Sequence, residues 1–151
     1  MTRHNAEKIT GLDLDCIPNC LPTGPKTMAV RDLDGAAVEF TVKGWPSLFK
    51  SLVEAVYASR RAVAAYRQGY RCFSTVAFGP LECDHITSRA RGARDDRLEN
   101  LRMCSSAAHN SRHRLGEVLR IHPEVRKIAI SKGWDWSEED QQWTQITTRL
   151  F

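Results

Sequence analysis

Along this 151-residue chain the spacing of hydrophobic and polar positions changes several times. Residues 1–27 carry three prolines and no sustained period, so "CIPNCLPTGP" predicts an irregular arm. From Met28 the pattern alternates in "MAVRDLDGAAVEFTVKG". Val38, Phe40 and Val42 fall on one side of a strand, and Asp34-Gly35 predicts a two-residue turn between two strands. Between Pro46 and Gly69 helical spacing takes over, with Phe49, Leu52, Val53 and Val56, then Val63 and Tyr66.

Two readings fit that helical region. One is a single long helix with Arg60, Arg61 and Arg67 on its wet side. The other is a helix-turn-helix: helix 47–56, a turn near Ala58-Ser59, and a second helix 60–67 capped by Ser59. In the second reading "ASRRAVAAYRQGY" is similar to the second helix of small phage and mobile-element DNA-binding modules. Further along, "STVAFGPLECDHI" has strand composition up to a Gly79-Pro80 turn, and "RLENLRM" predicts a short strand or extended run. "SSAAHNSRHRLGEVLRI" predicts a helix behind small capping residues. "HPEVRKIAISKG" and "WSEEDQQWTQITTRLF" predict two more, the last opened by Ser137 and Asp140 as a variant capping box. Trp134, Trp136 and Trp143 are expected to pack. The chain thus reads as α+β: an arm 1–27, a hairpin and helical region 28–78, a module 79–120, and a helical cap 121–151.

Composition, 42% hydrophobic and 26% charged, is that of a folded domain. No apolar run approaches the roughly 18 residues of a membrane span, and "MTRHNAEKIT" is no signal peptide, so a cytoplasmic protein without a membrane partner is expected. Charge changes the picture more. Residues 51–80 hold four arginines against Glu54, and residues 86–120 hold eight against four acids, with no lysine between Lys50 and Lys127. Arginine makes bidentate phosphate contacts, which points to a polyanionic partner, most simply nucleic acid. The five cysteines are odd in number and lack a secretory context, which argues against a disulfide framework. A structural zinc would have to draw its four ligands from distant segments.

The chemistry concentrates in "CDHITSRARGARDDRLENLRMCSSAAHN", residues 83–110. Asp84-His85-Ile86, an Arg/Gly loop, Asp95-Asp96, Glu99-Asn100-Leu101 and a histidine nine residues after that asparagine resemble the HNH endonuclease motif. The resemblance covers residues 80–116 and lies closest to the homing and phage branch. It implies a ββα-metal finger and hydrolysis of DNA phosphodiester bonds. It implies His85 as general base, Asp84 and His109 as metal ligands, and Asn100 as the tie that fixes His85 across the loop. Asn110 is the alternative ligand. Neighbouring helix positions differ by about 100°, so only one of the two faces the metal, and His109 fits the spacing from Asn100 without an insertion. Arg89, Arg91, Arg94, Arg97, Arg102 and Arg112 would hold phosphates, and His113 would contact a ligand or phosphate from one turn below His109. One carboxylate and one imidazole suit magnesium or manganese. The paired C-x-x-C motifs of the zinc-stapled branch are absent, since Cys83 and Cys104 stand singly.

Independent chemistry agrees with these residue types, because phosphodiester hydrolysis needs a base, a cation and groups that hold the backbone. Histidine supplies a neutral base near pH 7. Neighbours on a strand point to opposite faces, so Asp84 and His85 share one centre only if the strand ends or twists there. Three alternatives stay open: a binding module that has lost its metal, a zinc-stabilised module using Cys72, Cys83, Cys104 and His109, and action on RNA. A double-strand cut at a symmetric site would call for a homodimer.

Overall fold

A computed structural model describes residues 1–18, 26–87 and 94–146. Where the sequence predicts an irregular arm, the chain begins with helix α1 (Arg3–Thr10). Thr2 accepts the Asn5 N–H at 3.2 Å, and Gly11 closes the helix in the left-handed conformation. Ala6 and Thr10, one turn apart, are buried. Tertiary packing of this narrow face stabilises a segment too short to be helical alone.

Strands β1 (Lys26–Arg31) and β2 (Ala37–Val42) pair antiparallel, with Val30 opposite Val38 and Met28 opposite Phe40. Val38, Phe40 and Val42 are buried, as their alternation predicts. The turn has three residues rather than two. Asp32 N–H donates to Ala36 O at 2.8 Å, which leaves Leu33, Asp34 and Gly35 as the loop, with Gly35 at φ 88°. Such a loop uses a left-handed glycine just as the two-residue turn does.

Helix α2 (Leu48–Arg67) then runs unbroken for 20 residues, so the helix-turn-helix is not formed. Nothing between Leu48 and Arg67 is glycine or proline, and the buried stripe continues through Val56, Arg60, Ala64 and Arg67. Arg60 and Arg67 are therefore not on the wet side; of the three arginines only Arg61 is exposed.

Residues 74–80 form turns instead of a strand. Strand β3 (Glu82–His85) pairs antiparallel with β4 (Leu101–Cys104), which follows a 3-10 turn (Leu98–Asn100). Helices α3 (Ser106–Leu115) and α4 (Pro123–Ser131) come next. The predicted final helix is instead a hairpin, β5 (Trp134–Ser137) and β6 (Gln142–Gln145), with Trp136 opposite Trp143. Trp134 and Trp136 are buried at strand spacing, and Ser137 Oγ accepts the Asp140 N–H within the hairpin turn rather than at a helix start. Among the described residues the fold is thus α+β, four helices and three two-stranded antiparallel sheets.

One core lies between α1, the first hairpin and the N-terminal half of α2. A second surrounds Phe73, whose ring centroid is 4.8 Å from that of Trp136 and 5.9 Å from that of Trp143. Two buried arginines of α2 join the parts. Arg60 pairs with Asp32, just before the first hairpin's loop, at 2.8 Å and donates to Asp96 O at 3.0 Å. Arg67, two helical turns on, donates to Leu98 O at 3.1 Å and Leu101 O at 2.6 Å. Its guanidinium lies 4.1 Å from the Trp143 ring centroid and 4.8 Å from that of Trp134. Burial pushes Arg67 down to about 9, against the opposing pull of Glu99 and Cys83, so it stays charged at neutral pH. Arg67→Ala should cost about 3 kcal/mol in denaturant unfolding, since it strips two carbonyls of a charged donor. Lys50→Ala on the exposed side of the same helix should stay within about 0.5 kcal/mol.

Candidate metal centre

Pairing in the second hairpin sorts its side chains onto two faces. Asp84 lies opposite Arg102 and Glu82 opposite Cys104, on the face toward α3. Cys83, His85, Leu101 and Met103 occupy the other face, toward α2. Helix α3 is held at both ends: Ser105 Oγ accepts the Ala108 N–H at 3.2 Å, and Gly116 N–H returns to Ser111 O. Spacings of three and four residues then carry His109, Arg112 and His113 to Asp84.

Asp84 is completely buried. Its Oδ2 accepts from Arg102 Nε at 2.8 Å. Its Oδ1 accepts from Arg112 Nη1, stands 3.2 Å from His113 Nε2 and lies 3.6 Å from His109 Nε2. Arg112 also donates to His85 O at 2.9 Å and Ile86 O at 2.5 Å, which locks α3 to the end of β3. A buried carboxylate is costly unless each oxygen is partnered, and here both are. One ligand atom each from Asp84, His109 and His113 lies within 4.8 Å of the others, the geometry of a metal-binding group. Glu82 Oε2 sits 2.7 Å from His109 Nδ1, which turns Nε2 toward Asp84 in the manner of a carboxylate that orients a histidine ligand.

A cleft of about 540 Å³ opens beside this group, lined by Thr87, Arg102, Arg112, His113, Val118 and Gln141 among others. Arg102 is 3% exposed, with its guanidinium 4.9 Å from the Phe73 ring centroid. Its Nη1 has no hydrogen-bond partner among the described residues. An unpaired buried guanidinium N–H at a cleft wall is suited to an anion.

His85 stands apart from this group. The strand keeps its alternation, so the imidazole faces α2, stacked on Tyr57 at 5.5 Å, with Nε2 2.8 Å from Asp96 Oδ1. Asn100 bridges the ends of the loop between β3 and β4: Oδ1 accepts the Thr87 N–H at 2.7 Å, and Nδ2 donates to Asp95 O at 2.8 Å. Arg94 is paired with Asp96 and Glu54, and Arg97 with Asp95. Arg89 and Arg91 lie outside the described residues. Asn110 is exposed and is not part of the metal-binding group, whereas His109 is.

His113 stands at hydrogen-bonding distance from Asp84, the contact to a ligand that the sequence implies; Glu82 has no role in the sequence reading, and Asp96 enters it only as part of the motif. The signals were present: His109 and His113 are one helical turn apart, and Glu82 and Asp84 are alternate residues of one strand. Cys83 and Cys104 stand on opposite faces of the hairpin. Among the described residues no three-ligand group contains a cysteine, so Cys72, Cys83, Cys104 and His109 are not gathered into one site.

Asp96 is also buried. Burial raises its pKa, but hydrogen bonds from His85 and Arg94 outweigh this and hold the carboxyl below the usual range. A depressed folded-state value contributes stability above the unfolded pKa, near 3.9, and that stability is lost as pH falls through the folded value. Asp96→Asn should therefore destabilise the protein by about 2 kcal/mol at pH 7, a gap that closes in urea titrations repeated below about pH 4.

Compared with protein-family models, curated proteins and solved structures, the chain matches none of them.

Proposed function

We propose that this protein is a metal-dependent endonuclease of the ββα-metal (HNH) type that hydrolyses DNA phosphodiester bonds. The observation that carries the reading is the convergence of Asp84, His109 and His113 beside a cleft walled by Arg102 and Arg112. The order of elements also supports it: a strand, a segment rich in arginine, a paired strand, then the helix that carries the two histidines. The donor set fits a divalent cation, with one carboxylate already desolvated and two imidazoles on one helix face. Two nitrogen donors favour manganese or a later transition metal over magnesium, which prefers oxygen.

When bound, the cation would polarise the phosphate and stabilise the leaving oxygen. The remaining work falls to protein groups. The free Nη1 of Arg102 and the guanidinium of Arg112 hold the phosphate in the cleft. Residues Ile86 and Thr87, just beyond β3, line the approach. His85 is assigned as the base that takes the proton of the attacking water. A carboxylate acceptor at Nε2 leaves the lone pair of the neutral ring on Nδ1. For that nitrogen to act, the ring must swing from α2 past the end of the strand into the cleft.

One observation favours a second reading, a metal-free binding module. Arg102, Arg112, His109 and His113 already surround Asp84, so no cation is needed to compensate its charge.

A supercoiled-plasmid nicking assay separates the two, run with Mn²⁺, Mg²⁺ and EDTA beside His109→Ala and His85→Ala. Metal-dependent nicking, lost at least about 100-fold in His109→Ala, is expected, and Arg102→Lys should lower the rate about 10²–10³-fold. Manganese binding by calorimetry should vanish in His109→Ala and persist in His85→Ala. If the wild type shifts DNA in gels but neither nicks it nor binds manganese, the second reading holds.

A further inference from the structure

We propose that the loop after α2 is a binding surface for single-stranded nucleic acid, with bases stacked on Tyr70 and Phe78 and phosphates held by Arg71 and Lys132. The inference rests on the nucleic-acid part of the preceding reading and is independent of its metal. Tyr66, Tyr70 and Phe78 are 53%, 58% and 66% exposed, a concentration of uncovered aromatic rings within thirteen residues. Each cation is set against a ring. The Arg71 guanidinium lies 3.9 Å from the Phe78 ring centroid, and Lys132 Nζ lies 3.8 Å from that of Tyr66. The Tyr66 and Tyr70 rings meet edge to face at 6.4 Å.

The backbone holds this arrangement at a cost. Tyr70 and Val76 both adopt positive φ, 61° and 62°, which is uncommon for a tyrosine and a genuine outlier for a β-branched valine. Arg71 Nη1 donates to Val76 O at 3.2 Å, Cys72 N–H to Ala77 O at 2.9 Å and Val76 N–H to Cys72 O at 3.1 Å. The loop is thus closed on itself, and the Tyr70 and Phe78 rings stay outside the core.

Charge indicates the occupant. No acid occurs from Ala55 to Leu81; Arg60 and Arg67 of that stretch are buried, so the positive charge beside the exposed rings is that of Arg71 and Lys132, which suits a polyanion. An apolar protein partner would have to desolvate Arg71 and Lys132 without a counter-charge. A duplex hides its base faces, whereas a single strand offers them for stacking beside its phosphates.

Fluorescence anisotropy of a labelled oligothymidine and of a blunt duplex, both in EDTA, tests this. Phe78→Ala and Tyr70→Gly should each weaken single-strand binding about ten-fold, while Phe78→Tyr keeps it and duplex binding moves little. His109→Ala should bind the single strand like wild type, so failure of the metal reading leaves this result intact. Tyr70→Gly should raise the melting temperature by relieving the positive φ, which separates lost stacking from lost folding. Unchanged single-strand affinity in both loop variants, equal losses on duplex and single strand, or no single-strand binding by wild type would overturn the proposal.

Discussion

Arg60 and Arg67, seven residues apart on α2, hold together a molecule whose sheets would not hold themselves. Among the described residues each sheet has only two strands, and an isolated hairpin is marginal in water. Arg60 reaches Asp32 at the end of the first hairpin and the backbone at Asp96. Arg67 reaches the carbonyls before and within β4 and lies against two tryptophans of the last hairpin. A guanidinium suits this task because it offers five donors in a plane and stacks on aromatic faces. Burying two such charges is costly, and the carbonyl and carboxylate partners offset that cost.

That bracing fixes the second hairpin between two helices, and its pleat then divides the chemistry. One face presents Asp84 to α3, where Arg112, His109 and His113 meet it beside Arg102 of β4. The other presents His85 to α2 and Asp96. Arg112 couples the faces, bonding both the Asp84 carboxylate and the His85 carbonyl. The same Arg112 bonds tie α3 to the end of β3. The loop after α2 is built by a different device, two positive-φ positions closed by hydrogen bonds of their own.

Much of this was legible where a local rule decides the outcome. Alternation in Val38, Phe40 and Val42 marked a strand, and the spacing of His109 and His113 places them on one helix face whatever lies opposite. Where two local rules compete, pattern alone misled. "WDWS" alternates with period two, yet the acidic run and Ser137 also make a plausible helix start, and only the packing of Trp136 and Trp143 on Phe73 selects the hairpin. Ser59 is a good cap, but the buried stripe across it continued the helix. A helical projection puts Arg60 and Arg67 on the stripe of Phe49, Val53 and Val56, and only their charge argued for water, because a projection does not show which carbonyls and carboxylates lie opposite.

The sequence by itself determined the mixed class of the fold, the arginine-borne charge in its middle, and the residue types gathered between 82 and 113. It determined these because periodicity and composition are local properties of the chain. Only the tertiary structure decided that Asp84 meets His109 and His113, that Glu82 and Asp96 support the two histidines nearest the hairpin, and that His85 faces away from them. Those outcomes depend on which face of a four-residue strand meets which helix. A shift of a single residue in register would exchange the two faces, so the packing of α2 and α3 against the hairpin makes that choice.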